Sequence, residues 1–244
     1  MARMAFRIVH IAKTESTNRT AAAGSPGDVF WADEQTAGRG RLDHSWSSAP
    51  GLDLAFSAVI DVQGADPATA ATLPLVAGLS VCDALSGICG GWSIKWPNDV
   101  LRGGRKACGI LCERHGDAVI AGVGVNVNRT GFPPELSGRA TSLRIETGRR
   151  HSVEDVLRRI LDALDANVGL WREKGFPGLC PRVAEKDALR GRFVSVLQRD
   201  GDDRPVSGVC GGVLPDGSLD VGGVRVYAGE AHVAEAGMRT EAEP

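Results

Sequence analysis

The 244-residue chain contains no Gly-x-x-x-x-Gly-Lys-Ser/Thr loop, so it does not hold phosphates as P-loop proteins do. The dinucleotide fingerprint is also missing, because Gly38 and Gly40 are followed by Asp43 where a third glycine would stand. None of the six cysteines forms a Cys-x-x-Cys pair and no histidine cluster accompanies them, which argues against a zinc site. Cys82, Cys89, Cys108, Cys112, Cys180 and Cys210 read instead as small apolar groups, with Cys108 and Cys112 spaced to share one face of a strand. No Ser/His/Asp or Cys/His arrangement suggests a covalent nucleophile, and His44 is the one histidine near the motifs described below. No apolar run reaches the ~18 residues of a membrane span, and the basic N-terminus lacks a signal-peptide core and cleavage pattern. A cytoplasmic protein without membrane partners is expected. With 28 Lys and Arg against 30 Asp and Glu, the net charge of -2 argues against a general nucleic-acid binder, though a local basic patch is not excluded. There are no internal repeats.

What is present is ordinary in bulk. Hydrophobic residues make up 43% and charged residues 24%, enough for a substantial core in one large domain, or one with a small companion. Thirty-two glycines predict many turns and strand ends. Strands are expected over 6–12, 28–34, 54–60, 92–96, 106–113 and 118–126. A short helix, which Ser16 can cap, runs through Thr20 to Ala23. One long helix is expected over 66–85 with Pro67 in its first turn. Ser152 caps a helix from Val153 to about Trp171, with Val156, Leu157, Ile160, Leu161, Leu164 and Val168 on one face. A shorter helical piece is expected over 176–185. Beyond Lys186 short strands alternate with turns, Asp216-Gly217 being a hairpin signal. A β module of about fifty residues is near the lower limit for independent stability and is expected to lean on the larger domain.

The most informative segment is QTAGRGRLDHSW, from Gln35 to Trp46. Gly38 and Gly40 allow close backbone approach, while Arg39 and Arg41 supply planar charged forks suited to phosphate and carboxylate. The loop can fold around a small anion, or it can be a solvated basic turn. Four further segments stand out. TESTN places Ser16, Thr17 and Asn18 before a helix, where they can bind a polar group or simply cap. KWPNDVL, from Lys95 to Leu101, sets a lysine, a tryptophan and an aspartate around a turn between strands. RKACGILCE, from Arg105 to Glu113, begins a strand with Lys106 and holds Gly109, which permits close approach. GVGVNVN ends a buried strand with Asn126 and Asn128 on one face, where they can also merely terminate it.

Each fragment is weak alone. In this order they closely resemble the biotin protein ligases, the biotin–[acetyl-CoA-carboxylase] ligase family, over residues from about 6 to 235. The resemblance implies an α/β (α+β) fold. A mixed β-sheet flanked by helices would form a class II synthetase-like ligase core over 1–187. An SH3-like C-terminal β-barrel would follow over 188–236, then a tail over 237–244. It implies an enzyme that uses ATP to form biotinyl-5'-AMP and passes biotin to one lysine of a biotin carboxyl carrier domain. Magnesium would bridge the phosphates. No protein nucleophile is required; positioning and electrostatics carry the chemistry. Ser16, Thr17, Asn18 and Gln35 would hold the biotin head. Gly38, Arg39, Gly40 and Arg41 would close over biotin and the adenylate phosphate, with Lys106 as the catalytic cation beside the carboxylate and α-phosphate. Trp46 would shelter adenine, and Asn98 and Asn126 would hold the nucleotide or its metal. Lys95 and Asp99 would support the phosphate and the acceptor lysine, Asp99 being equally readable as a turn carboxylate. A homodimer is compatible with the resemblance. Few residues precede TESTN, so no winged helix-turn-helix, and no direct operator binding, is expected.

The chain departs from the family pattern at Asp43 and His44, where a glycine and an arginine usually follow the Gly-Arg-Gly-Arg core. The change would weaken phosphate contacts or alter loop closure, but activity is expected because Arg39, Arg41 and Lys106 remain. Two rivals are open: a lipoate- or octanoyl-type acyl ligase or transferase working through Cys108, and a non-catalytic biotin-sensing protein.

Overall fold

Strand β3 (Asp53–Asp61) and strand β7 (Ala118–Asn126) are near-continuous apolar runs, and both lie at the centre of a seven-stranded sheet. The computed structural model describes residues 6–41, 44–197 and 204–233. The other strands are β1 (Arg7–Thr14), β2 (Asp28–Gln35), β4 (Trp92–Lys95), β5 (Asp99–Arg102) and β6 (Arg105–His115), in the order β1-β2-β3-β7-β6-β5-β4. Only the β1–β2 pair is parallel in this sheet. Leu54, Phe56, Ala58 and Ile60 alternate towards the main core, which helices α3 (Leu73–Ser86) and α5 (Val153–Lys174) complete. The odd-numbered residues of β3 face the other way, where helix α1 (Thr17–Ala21) packs Ala21 against Val59 and Ile120.

A second sheet contains β8 (Phe193–Leu197), β9 (Val206–Val213), β10 (Leu219–Val221), β11 (Val224–Val226) and β12 (Glu230–Val233), all antiparallel, in the order β11-β10-β9-β8-β12. Its Asp216-Gly217 turn forms as predicted, with Gly217 at φ +82°. The small sheet does lean on the large one. Its inner residues Val194, Val196, Cys210 and Leu219 join the main core. The Trp96 indole donates to the Gly217 carbonyl at 3.0 Å. Between the sheets, Ile94 N–H donates to Lys186 and Ala188 N–H to Ile94, so the connection lies along the outer edge of β4. There the Asp187 carboxylate accepts from Leu189 and Val213 N–H; burial still pushes its carboxyl above the usual range.

Three expectations need correction. The helix over 66–85 is two: α2 (Pro67–Ala70) and α3, broken at Ala71 and Thr72 because Pro74 has no N–H to offer the preceding turn. By length and composition Pro67–Ser86 could cross a membrane, at mean hydropathy 1.5, but 72% of that window is buried within the protein. Asp99–Arg102 is a strand rather than loop, pairing with β4 through a tight turn that holds a cis Trp96–Pro97 bond. Between Asn128 and Ser152, α4 (Leu143–Thr147) forms where no element was expected, capped by Ser142 and stopped at Gly148 with φ +73°. The shorter helical piece expected over 176–185 does form, as a 3-10 turn over Phe176–Gly178 followed by helix α6 (Cys180–Glu185). The expected tail over 237–244 lies outside the described residues.

Candidate active site

On the face opposite α3 and α5 the sheet is almost bare of side chains. Pairing register sets Ser57, Gly122 and Leu111 in one cross-strand row and Ala55, Gly124 and Gly109 in the next. Each glycine makes room for a particular group. A Cβ at Gly122 would stand 2.1 Å from the Asn18 side-chain oxygen, and one at Gly124 would stand 2.3 Å from the Trp46 ring.

Lys106 reaches this face through an irregularity. Asp99 pairs with Gly109 and Val100 with Cys108, but Leu101 pairs with Lys106, which leaves Ala107 as an extra residue. The bulge turns Lys106 to the same side as Gly109, where its Cε and Nζ lie 3.2 and 3.3 Å from the ideal Cβ position of that glycine. Lys106 Nζ is 2.7 Å from Asp99 Oδ1, an ion pair rather than an aligned hydrogen bond. Behind it, Glu146 is buried and tied to Thr141, Arg102 and Arg105. Burial works against its charge, but the hydrogen bonds and the two guanidiniums hold its carboxyl below the usual range.

The Gly-Arg loop crosses above as a short hairpin. Arg39 and Ser45 form an isolated antiparallel bridge, Trp46 N–H donates to Gly38 at 2.8 Å, and Gly40 N–H donates to His44 at 2.6 Å. Arg39 Nη2 donates to both Glu113 oxygens, at 3.0 and 3.1 Å. Arg41 Nη1 donates to Asn98 Oδ1 at 3.3 Å and to the Gly229 carbonyl of the small sheet at 3.2 Å. The Trp46 indole covers Gly109 and Gly124, its N–H buried with no partner, and Lys106 Nζ stands 5.9 Å from the ring centre. His44 lines the cavity; Asp43 lies outside the described residues.

At the other end, Gln35 Oε1 accepts from Thr17 N–H and hydroxyl at 2.8 and 3.1 Å. Ser16 stands at the α1 N-cap position, but its hydroxyl does not cap the helix and lines the cavity instead. The Asn18 amide is committed to the protein: its oxygen accepts from Ser57, and its nitrogen donates to the Leu111 carbonyl and to Glu113.

One cavity therefore gathers Ser16, Thr17, Asn18, Gln35, Arg39, Gly40, Arg41, Trp46, Lys95, Asn98, Asp99 and Lys106. Asn126 does not line it. Its buried amide donates to the Thr141 and Lys106 carbonyls and fixes the backbone that carries Lys106. Asn128 likewise ties Gly51 to His151. Gly38 lines an adjoining space below the hairpin with Glu113. Ser57, Glu113, Gly122, Gly124 and Glu230 were not assigned from the sequence. The period-two glycines of GVGVN hinted at a bare face; nothing near Glu230 pointed to the site. Cys108 is fully buried and its thiol is driven well above the usual range by burial, which disqualifies it as an acyl carrier.

The sheet, its bare face and the basic hairpin define a class: the family model described as the biotin/lipoate A/B protein ligase family matches residues 12–128. The biotin–[acetyl-CoA-carboxylase] ligase of Mycobacterium tuberculosis is 33% identical over 234 residues, 90% of this chain and 86% of that protein. The enzyme of the same description from Paracoccus denitrificans is 38% identical over 177 residues, 66% of this chain and 71% of the relative. The structure of the Aquifex aeolicus biotin protein ligase in complex with biotin and ATP superposes with a TM-score of 0.82 at 31% identity, covering 94% of this chain and 99% of that one. The chain belongs to the biotin protein ligase family.

Proposed function

We propose that this protein is an ATP-dependent biotin ligase that makes biotinyl-5'-AMP and transfers biotin to a lysine of a biotin carboxyl carrier domain in the cytoplasm. The observation that carries the reading is the convergence of Lys106, Arg39 and Arg41 over a glycine-paved floor. Two anionic reactants, a carboxylate and a triphosphate, need cations to meet, and an uncharged bicyclic ring system needs a surface with room free of side chains.

In this reading Ser16, Thr17 and Gln35 receive the biotin head, with Asn18 holding their surroundings in place. Lys106 neutralises the biotin carboxylate and the α-phosphate as the mixed anhydride forms and pyrophosphate leaves. Asp99 keeps Lys106 aimed until the substrates arrive. It then stands ready to take the proton from the incoming lysine amine as the amide forms and AMP departs. Arg41 and Asn98 face the nucleotide side, Lys95 supports its phosphates, and Trp46 moves from the floor to cover the adenine. Asn126 acts from behind through the Lys106 backbone. Among the described residues no three metal-ligating side chains cluster. Magnesium would enter as the companion of the triphosphate, with Asn98 as a neighbouring oxygen donor. Residues 1–187 are assigned as the catalytic domain and 188–236 as the C-terminal one, whose described strands complete the site through Gly229 and Glu230.

The test is incubation with ATP, magnesium, labelled biotin and a carrier domain, followed for adenylate and for protein-bound label. The parent is expected to form both, and Lys106→Ala to form adenylate about 100- to 1,000-fold more slowly. A parent that forms no adenylate at saturating biotin and ATP overturns the reading. A parent that forms adenylate but labels no carrier makes it a biotin sensor.

A further inference from the structure

Glu113 is near the end of β6, on the side of the sheet that carries the glycine floor. Its carboxylate meets two groups from distant parts of the chain. Oε2 accepts from the Asn18 amide at 2.6 Å, and both oxygens accept from Arg39 Nη2. The carboxylate is 28% exposed and Arg39 is 44% exposed, so the pair is partly open to water. The base of the hairpin is held by Thr36 N–H to Thr14, Ala37 N–H to Glu15, and Gln35 N–H to the Ser48 hydroxyl at 3.0 Å. Its far end is fixed by Arg41 on Asn98 and Gly229, and its second arm by Arg129 on Ser47. Between base and tip, the side-chain anchor of the first arm is Glu113, through Arg39.

We propose that Glu113 is a positioning residue for biotin: it fixes the first arm of the hairpin through Arg39, and in the same carboxylate ties that arm to Asn18 and helix α1. The proposal rests on the ligase reading above. The physical effect is preorganisation. An arm already docked over the floor gives up little freedom when biotin enters beneath it, whereas an unanchored arm must be ordered by the ligand itself. The loss therefore falls on biotin binding and not on the chemical step. Glu113→Gln separates the two contacts, since the amide oxygen still accepts from Asn18 while the charge that Arg39 pairs with is gone.

The experiment compares the full chain with Glu113→Gln, Arg39→Ala and the double variant. It measures the biotin Kd by calorimetry and the biotin KM and kcat for adenylate formation. Glu113→Gln is expected to raise Kd and KM about fivefold, the ceiling for a half-exposed ion pair, with kcat within about twofold. The double variant is expected to bind no worse than Arg39→Ala alone, because both changes remove one contact. Where Glu113→Gln fails to fold, Glu113→Asp keeps the charge but withdraws it from Arg39, and is expected to act in the same direction. Unchanged Kd and KM, tighter binding, multiplied effects in the double variant, or a loss confined to kcat each overturns the inference and leaves an active ligase standing. A parent that neither binds biotin nor forms adenylate overturns both.

Discussion

On the floor of the site β3, β6 and β7 present Ala55, Ser57, Gly109, Gly122 and Gly124, whereas the hairpin above presents Arg39, Arg41 and Trp46. The floor is set by strand register, and its polar neighbours are engaged: the Ser57 hydroxyl donates to the Asn18 amide oxygen and lies 2.7 Å from Thr17 Oγ1. The hairpin's two arginines are held by groups that a ligand could replace, one carboxylate, one amide oxygen and one carbonyl. A fixed shape below and exchangeable charges above divide the work. In the proposed reaction, shape would select the neutral ring system and charge would hold the reactive anhydride. The contrast also separates how the two regions should respond to change.

Gly122→Ala is the sharpest attack on the floor. Its methyl group would collide with the Asn18 amide, which would lose its bonds to Ser57 and Glu113. A loss of about 3 kcal/mol in chemical unfolding is expected; a variant as stable as the parent would show the floor to be adaptable. Next is Glu146→Gln, behind Lys106. The Glu146 carboxyl is lowered in the fold from its ordinary 4.5, so its stabilising effect is present above that value and is lost as pH falls through the folded value. The variant is expected to be roughly 2 kcal/mol less stable at pH 7, with the gap closing in acid below pH 4.5. A gap independent of pH would assign the effect to packing. The smallest effect falls on the hairpin. Raising salt from 0.1 to 1 M should speed amide exchange at Gly40 and Trp46 about two- to threefold, since screening reaches half-exposed ion pairs. Exchange at Val123 in β7 should not respond, and an equal response in both regions would erase the distinction.

Much of this was legible in residue order. The apolar runs of β3 and β7, the period of Val156 to Val168 and the Gly-Arg loop each declare themselves locally, because their signal lies within one element. Strand β5 was hidden by the proline and asparagine before it, which read as turn although the turn ends at Asn98. The helix break at Thr72 was masked by continuous apolar composition. The surroundings of Asn126 were not legible, because a buried amide between two carbonyls and one facing a ligand look identical in sequence. The Ala107 bulge that aims Lys106 depends on the register with β5, and Glu230 reaches the cavity from a separate sheet. Both are properties of pairing between distant segments, which no short window contains.

The bond from Arg41 to Gly229 spans 188 residues, and that from Trp96 to Gly217 spans 121. A chain emerging from the ribosome makes its floor and hairpin early and receives their last supports only when the small sheet appears. The parts of the site that come first in the chain are thus braced by the parts that come last, and the hairpin and the β4–β5 turn gain these two supports only after more than two hundred residues have been made.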